Sequence, residues 1–270
     1  MKKTSPTSEL RGLLDSGVVM LLDGATGTEL DQRGVDISLP LWSARAIIEA
    51  PEVLGQIHVD YLIAGADLVT ANTFRTHRRT LSRAGLGERA EELTERAVDI
   101  ARQACARASK RALVAGSMAP LEDCFSPELV PHDVYLQDEH AEMAYHLVKA
   151  GADVLLIETM NTVREAVAAT RAAVETGLPT MVSVVCGRDA MLLSGESVAD
   201  AAMALTSLRT DAILVNCTPA PDLNRSLFEM RAHTSLPIGA YANIGYMEND
   251  QNWTETDATD PEIYARYAGQ

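Results

Sequence analysis

The stretch "DAILVNCTPA", Asp211 to Ala220, is an apolar run that stops at Asn216 and is followed by Cys217, Thr218 and Pro219. A short aliphatic run bounded in this way reads as a strand buried on both faces, the kind found in parallel sheets. It leaves a thiol where strand gives way to loop. The same pattern recurs at "VVMLL" (18–22), "ADLVTA" (66–71), "ALVAG" (112–116), "DVLLI" (153–157), "TMVSVV" (180–185) and "PIGAYA" (237–242). Between these runs lie segments with helical spacing, such as "ERAEELTERAVDIARQACARAS" and "TVREAVAATRAAVETG". Several close on a glycine, as a helix C-terminus prefers.

Strand and helix alternating this often imply parallel pairing with right-handed crossovers. Seven runs at regular spacing, with no Gly-rich dinucleotide loop after the first, favour a (β/α)8 barrel over a doubly wound sheet. The final "DPEIYARYAGQ" reads as the start of the seventh helix, and no eighth strand follows it. The expected fold is therefore α/β, a TIM-type (β/α)8 barrel lacking its eighth strand and helix. Residues 1–270 are read as one barrel domain, incomplete at its C-terminus.

With 270 residues and 47% hydrophobic content, the chain can bury a large core. No run reaches the roughly 18 apolar residues that a membrane span needs. The opening "MKKTSPTSELRGLL" has no apolar core of a secretory signal. A cytoplasmic protein without membrane partners is expected. The formal net charge of -15 argues against a nucleic-acid partner, which would call for clustered Lys and Arg. One basic cluster, Phe74 to Gly85, is read as a solvated helix face rather than an anion site. Cysteines 105, 124, 186 and 217 point to free thiols or a metal site rather than disulfides. His58 and His146 are read as ordinary helix residues.

In such a barrel the active site is built at the C-terminal ends of the strands. The residues there are Asp23, Gly24, Thr26, Gly27 and Thr28 after the first run, then Asn72 and Thr73, then Glu158. Cys186 and Asp189 follow the fifth, Cys217 the sixth, and Tyr241 and Asn243 lie within or after the seventh. Asp23 and Glu158 together suit an ammonium group, and the amides of the Gly-containing turn suit a carboxylate. That pairing fits an α-amino acid. Cys217 by itself reads as a small core residue or as a ligand group.

The ordered motifs "LLDGATGTELDQRGVD", "LWSARAIIEAPEVLGQIHVDYLIAGADLVTANTF", "LVAGSMAP", "AGADVLLIETM", "LLSGES" and "ILVNCTP" resemble the homocysteine S-methyltransferase family. The family includes the S-methylmethionine- and betaine-dependent enzymes and the homocysteine module of methionine synthase. The resemblance runs from about residue 18 onward. It implies a zinc-dependent reaction in which homocysteine's sulfur, held as a thiolate, attacks an activated methyl group to give methionine.

Residue by residue, Cys217 matches a zinc ligand and Asn216 the residue before it. Asp23 and Gly24 match the turn that contacts the amino acid, with Thr26 beside it, and Glu158 matches the carboxylate that binds its ammonium. Trp42 matches an aromatic on the donor side, where a ring face suits a sulfonium or quaternary ammonium. Thr73 and Asn243 match pocket positions. S-methylmethionine, S-adenosylmethionine and betaine are the expected donors, in that order.

The family's other two zinc ligands are adjacent cysteines in a Gly-Gly-Cys-Cys-Gly segment, which this sequence does not contain. A catalytic zinc normally takes three protein ligands. The expectation is a fragment of a longer product. The alternatives are a paralogue that binds an amino acid without zinc or methyl transfer, and a substitute site from Cys124 and Cys186. An open barrel edge would also favour self-association. A barrel aldolase is disfavoured because no lysine sits at a strand end.

Overall fold

Aliphatic and β-branched runs form the strands and alanine-rich amphipathic segments form the helices, as the two periodicities dictate. The computed structural model describes residues 6–247 and 253–269. Helices α1 (Pro6–Asp15), α2 (Thr26–Gln32), α3 (Arg45–Glu49) and α4 (Pro51–Ala64) precede strand β1 (Leu68–Ala71). Then come α5 (Arg78–Arg83), α6 (Ala90–Arg107), β2 (Leu113–Met118), α7 (Asp133–Ala150), β3 (Val154–Met160), α8 (Val163–Glu175) and β4 (Thr180–Val184). The remainder is α9 (Val198–Thr206), β5 (Ala212–Pro219), α10 (Ala220–His233), β6 (Ile238–Asn243), the short strands β7 (Gly245–Met247) and β8 (Trp253–Glu255), and α11 (Pro261–Ala268).

Strands β1 to β6 pair in sequence order and all in parallel. They make a curled sheet that does not close, a TIM-like α/β fold. Side chains alternate across it with period two. Leu113, Ala115, Val154, Leu156, Met181, Ala212 and Leu214 fill the concave side with Leu10 of α1. Val114, Leu155, Ile157, Val182, Ile213 and Val215 face outward onto the helices. Among the described residues no helix is long and apolar enough to cross a membrane.

The run at 18–22 is expected as a first strand, and here the structure differs. It contributes a single parallel bridge, Leu22 to Leu68. Its ties to β1 are short: the Asp23 amide donates to Leu68 O at 3.0 Å, and Leu21 O accepts from Asp67 N at 2.8 Å. Val18 and Val19 are 72% and 79% exposed. The segment lies on the sheet's outer edge, where no neighbour buries its second side, so aliphatic content alone does not extend the ladder. The antiparallel pair of β7 and β8 is an addition that periodicity did not single out.

The other edge carries no further strand among the described residues, though the Tyr264 hydroxyl of α11 accepts from Ala242 N and donates to Ala242 O, each at 3.2 Å. Every residue of β4 is buried, whereas β6 is half-buried along its length and Ala240 is exposed. Among the described residues β6 pairs only with β5.

Between β2 and α7 the packing leaves no slack. A Cβ placed on Gly116 of β2 would lie 2.6 Å from Cδ2 of Leu147, which is fully buried on α7. Gly116→Ala must displace that side chain, and overpacking of this kind costs about 1–3 kcal/mol. Urea denaturation is expected to read a loss of that size with the fold retained.

Candidate active site

The C-terminal ends of the strands open into a cleft of about 1070 Å³. Asp23, Gly24, Thr26, Trp42, Glu158, Cys217 and Asn243 all line it. Seven of the nine residues singled out for the site are thus brought together. The other two, Thr73 and Asn216, are fully buried beneath the wall. They support the site rather than face it.

Asn216 has a specific supporting task. Its Oδ1 accepts from the Thr159 amide at 3.0 Å and from the Ser183 hydroxyl at 2.7 Å. Its Nδ2 donates to the Thr159 hydroxyl at 2.8 Å and approaches the Cys217 Sγ at 3.3 Å. One side chain so joins β3, β4 and β5. At that level both outer strands leave regular register, between Ile157 and Met160 in β3 and between Asn216 and Pro219 in β5. Thr159 (φ 61°) and Cys217 (φ 51°) take up the left-handed region, as does Trp42 (φ 48°) across the cleft. Non-glycine residues are rare there and concentrate where function needs a particular direction. The turn at Cys217 is further held by the Asn243 carboxamide, which donates to Cys217 O at 3.1 Å.

The two carboxylates are held differently. Asp23 accepts from the amide and the hydroxyl of Thr70, both at 2.8 Å. Burial outweighs these bonds and the charge of Glu158 adds to it, so Asp23 is pushed up to about 7. Glu158 accepts from the Ser117 hydroxyl and, at 3.0 Å, from the Tyr241 hydroxyl. Burial raises it as well, against the pull of those two donors. No cation answers either group among the described residues. Burial and the neighbouring Glu158 push the Cys217 thiol up to about 12, so it is neutral as it stands. Ser117 was outside the expected site and Tyr241 was only a strand-end residue; both prove to orient Glu158.

The facing wall is aromatic. Trp42 and Phe74 meet edge to face with centroids 5.7 Å apart, and Phe125 lines the cleft beside them. Trp42 lies so close to α2 that a Cβ on Gly27 would stand 2.4 Å from its ring, which accounts for glycine there. Asn72 fixes this segment to the end of β1. Its amide donates to Ser43 O and its Oδ1 accepts from the Ser43 hydroxyl, each at 2.7 Å.

All four cysteines are free. Cys124 lines the cleft, and its thiol is raised by burial and by Cys217. Cys186 is buried outside it, with its amide bonded to the Thr218 hydroxyl at 3.0 Å. Asp189 points away, ion-paired to Arg225 at 3.0 Å. Among the described residues no group of three His, Cys, Asp or Glu could hold a metal ion. The substitute site from Cys124 and Cys186 is therefore not formed, and the residues described do not fit a zinc that needs three protein ligands. His58 and His146 lie buried in α4 and α7, as expected of helix residues.

Residues 20–270 match the profile of the family described as "Homocysteine S-methyltransferase". The chain is 30% identical to homocysteine S-methyltransferase YbgG of Bacillus subtilis, over 96% of this chain and 88% of that one. It is also 30% identical to the homocysteine S-methyltransferase of Escherichia coli, over 89% and 83%. The crystal structure of the homocysteine methyltransferase MmuM from Escherichia coli, in its metallated form, superposes with a TM-score of 0.80 at 29% identity, covering 87% of each chain. Sequence motifs and fold converge with these comparisons: the chain belongs to the homocysteine S-methyltransferase family, whose chemistry is methyl transfer.

Proposed function

We propose that the cleft binds L-homocysteine and methylates its sulfur from a small activated donor, S-methylmethionine, S-adenosylmethionine or a betaine, giving methionine. The observation that carries this reading is the pair of unanswered carboxylates, Asp23 and Glu158, on one cleft with Cys217. An ammonium between them removes the penalty that burial imposes on both charges. The sulfur of the same ligand then reaches toward Cys217. Trp42 and Phe74 offer ring faces to a cationic sulfonium or ammonium donor. In the transfer, a sulfur lone pair forms the new S–CH3 bond while the donor's bond to that methyl breaks. Its electron pair leaves with the donor, and the thiol proton passes to solvent. What the protein contributes is alignment of the two molecules.

Zinc is the cofactor that family membership brings to mind, with Cys217 as one ligand. The described residues offer no complete metal group, so no step here depends on it. Without a cation, burial and Glu158 both favour the neutral thiol over the thiolate. That observation favours a second reading for these 270 residues, binding of the amino acid without turnover. The edge of β6, met by the Tyr264 hydroxyl at Ala242 but paired to no further strand among the described residues, supports self-association of the chain through strand pairing.

Three measurements test this. Asp23→Asn and Glu158→Gln should each weaken homocysteine binding at least about tenfold by titration calorimetry, because breaking one side of a buried charge pair costs about 2–5 kcal/mol. With Asp23 at about 7, the carboxylate is mostly protonated at pH 6 and mostly ionised at pH 8. Affinity should therefore rise across that interval, and the rise should flatten in Asp23→Asn. Elemental analysis of the 270-residue chain should find well under one zinc per molecule; a stoichiometric, tightly held ion would contradict the donor set described.

A further inference from the structure

Four arginines lie between Phe74 and Gly85, and three of them are committed to carboxylates. Arg78 pairs with Glu88 and Glu142, Arg79 with Glu122 and Glu139, and Arg83 with Glu122. Arg75 is different. It lines the cleft, has no ion pair or hydrogen bond among the described residues, and its Nε is shut off from solvent without a partner. Its one neighbour of note is the ring of Phe74, 5.7 Å from the guanidinium carbon. A half-buried guanidinium with its donors unanswered is a group waiting for an anion.

The loop holds that guanidinium in place. Thr73 and Thr76, on either side of the Phe74–Arg75 pair, are fully buried. The Thr73 hydroxyl donates to Ser117 O at 2.9 Å, and the Thr76 hydroxyl bonds to that of Thr94 at 2.8 Å. His77 is bonded in turn to Thr80 at 2.9 Å. Arg75 is thus fixed beside the aromatic wall. Its charge is felt at Cys124 and His77, whereas Glu158 is governed by burial, Ser117 and Tyr241.

The structure assigns to Arg75 the carboxylate of the methyl donor, so that the cleft selects zwitterionic donors whose cationic centre rests on Trp42 and Phe74. The assignment rests on the methyl-transfer reading above. A planar guanidinium matches a carboxylate with two parallel hydrogen bonds. In an α-amino acid the ammonium and carboxylate sit on one carbon. A molecule whose ammonium lies between Asp23 and Glu158 keeps its carboxylate by the Gly24 turn, and the anion at Arg75 belongs to the second substrate.

Titration calorimetry on the full chain with homocysteine, S-methylmethionine and S-methylmethionine methyl ester tests this. Arg75→Met should weaken S-methylmethionine at least tenfold and leave homocysteine within twofold, while the ester binds wild type and variant alike. Arg75→Lys, which keeps charge and length, should lose less and guards against a folding defect. Equal weakening of homocysteine, or unchanged S-methylmethionine binding in Arg75→Met, overturns the assignment. Wild type that takes homocysteine but not S-methylmethionine overturns it alone; wild type that binds neither overturns the methyl-transfer reading with it.

Discussion

The carboxamide of Asn216 accepts from the Thr159 amide and the Ser183 hydroxyl and donates to the Thr159 hydroxyl, spanning three strands from a fully buried position. Two neighbouring residues pay into this arrangement, because left-handed backbone at Thr159 and Cys217 costs about 1–3 kcal/mol each. Breaking the bridge would leave buried polar groups unanswered, which is costly in its own right. The strained turns and the brace therefore stand or fall together. The turn at Thr159 and the placing of the Cys217 thiol thus lean on a side chain that faces no ligand.

On that scaffold the cleft is electrically polarised. Among the described residues Asp23 and Glu158 are served by neutral side-chain donors, those of Thr70, Ser117 and Tyr241, which orient a carboxylate without cancelling its charge. Burial then drives both toward the protonated form. Across the cleft, Arg75 is a cation with no carboxylate partner among the described residues. The arginines next to it are neutralised by Glu122, Glu139 and Glu142, so the contrast is local rather than a reflection of the net charge of -15. A site with separated, unanswered charges of both signs favours ligands that carry both.

Much of this was legible in the sequence because burial on two faces leaves a plain signature. The aliphatic runs from "ADLVTA" to "PIGAYA" all became strands of one parallel sheet. The run "VVMLL" has the same composition and formed one bridge, because a strand also needs a neighbour, which composition does not encode. Polar residues at strand ends marked the cleft, since a carboxylate or thiol closing an apolar run must meet something. Which way each points was not legible. Asn216 and Thr73 look the same in sequence as Asn243 and Thr26, yet Asn216, the last residue of β5 in regular register, is bonded beneath the wall to Thr159 and Ser183, and Thr73 is drawn to the Ser117 carbonyl. Arg75 was hidden inside a basic cluster whose other members are satisfied by helix α7 and its surroundings.

The ring of Trp42 packs against Gly27, meets Phe74 edge to face, and is one of only two tryptophans in the chain. An indole held at the wall of a binding cleft is an optical label supplied by the fold. A cation settling on that ring would alter its electronic surroundings directly, so the protein carries a fluorescent report of cleft occupancy that needs no added dye.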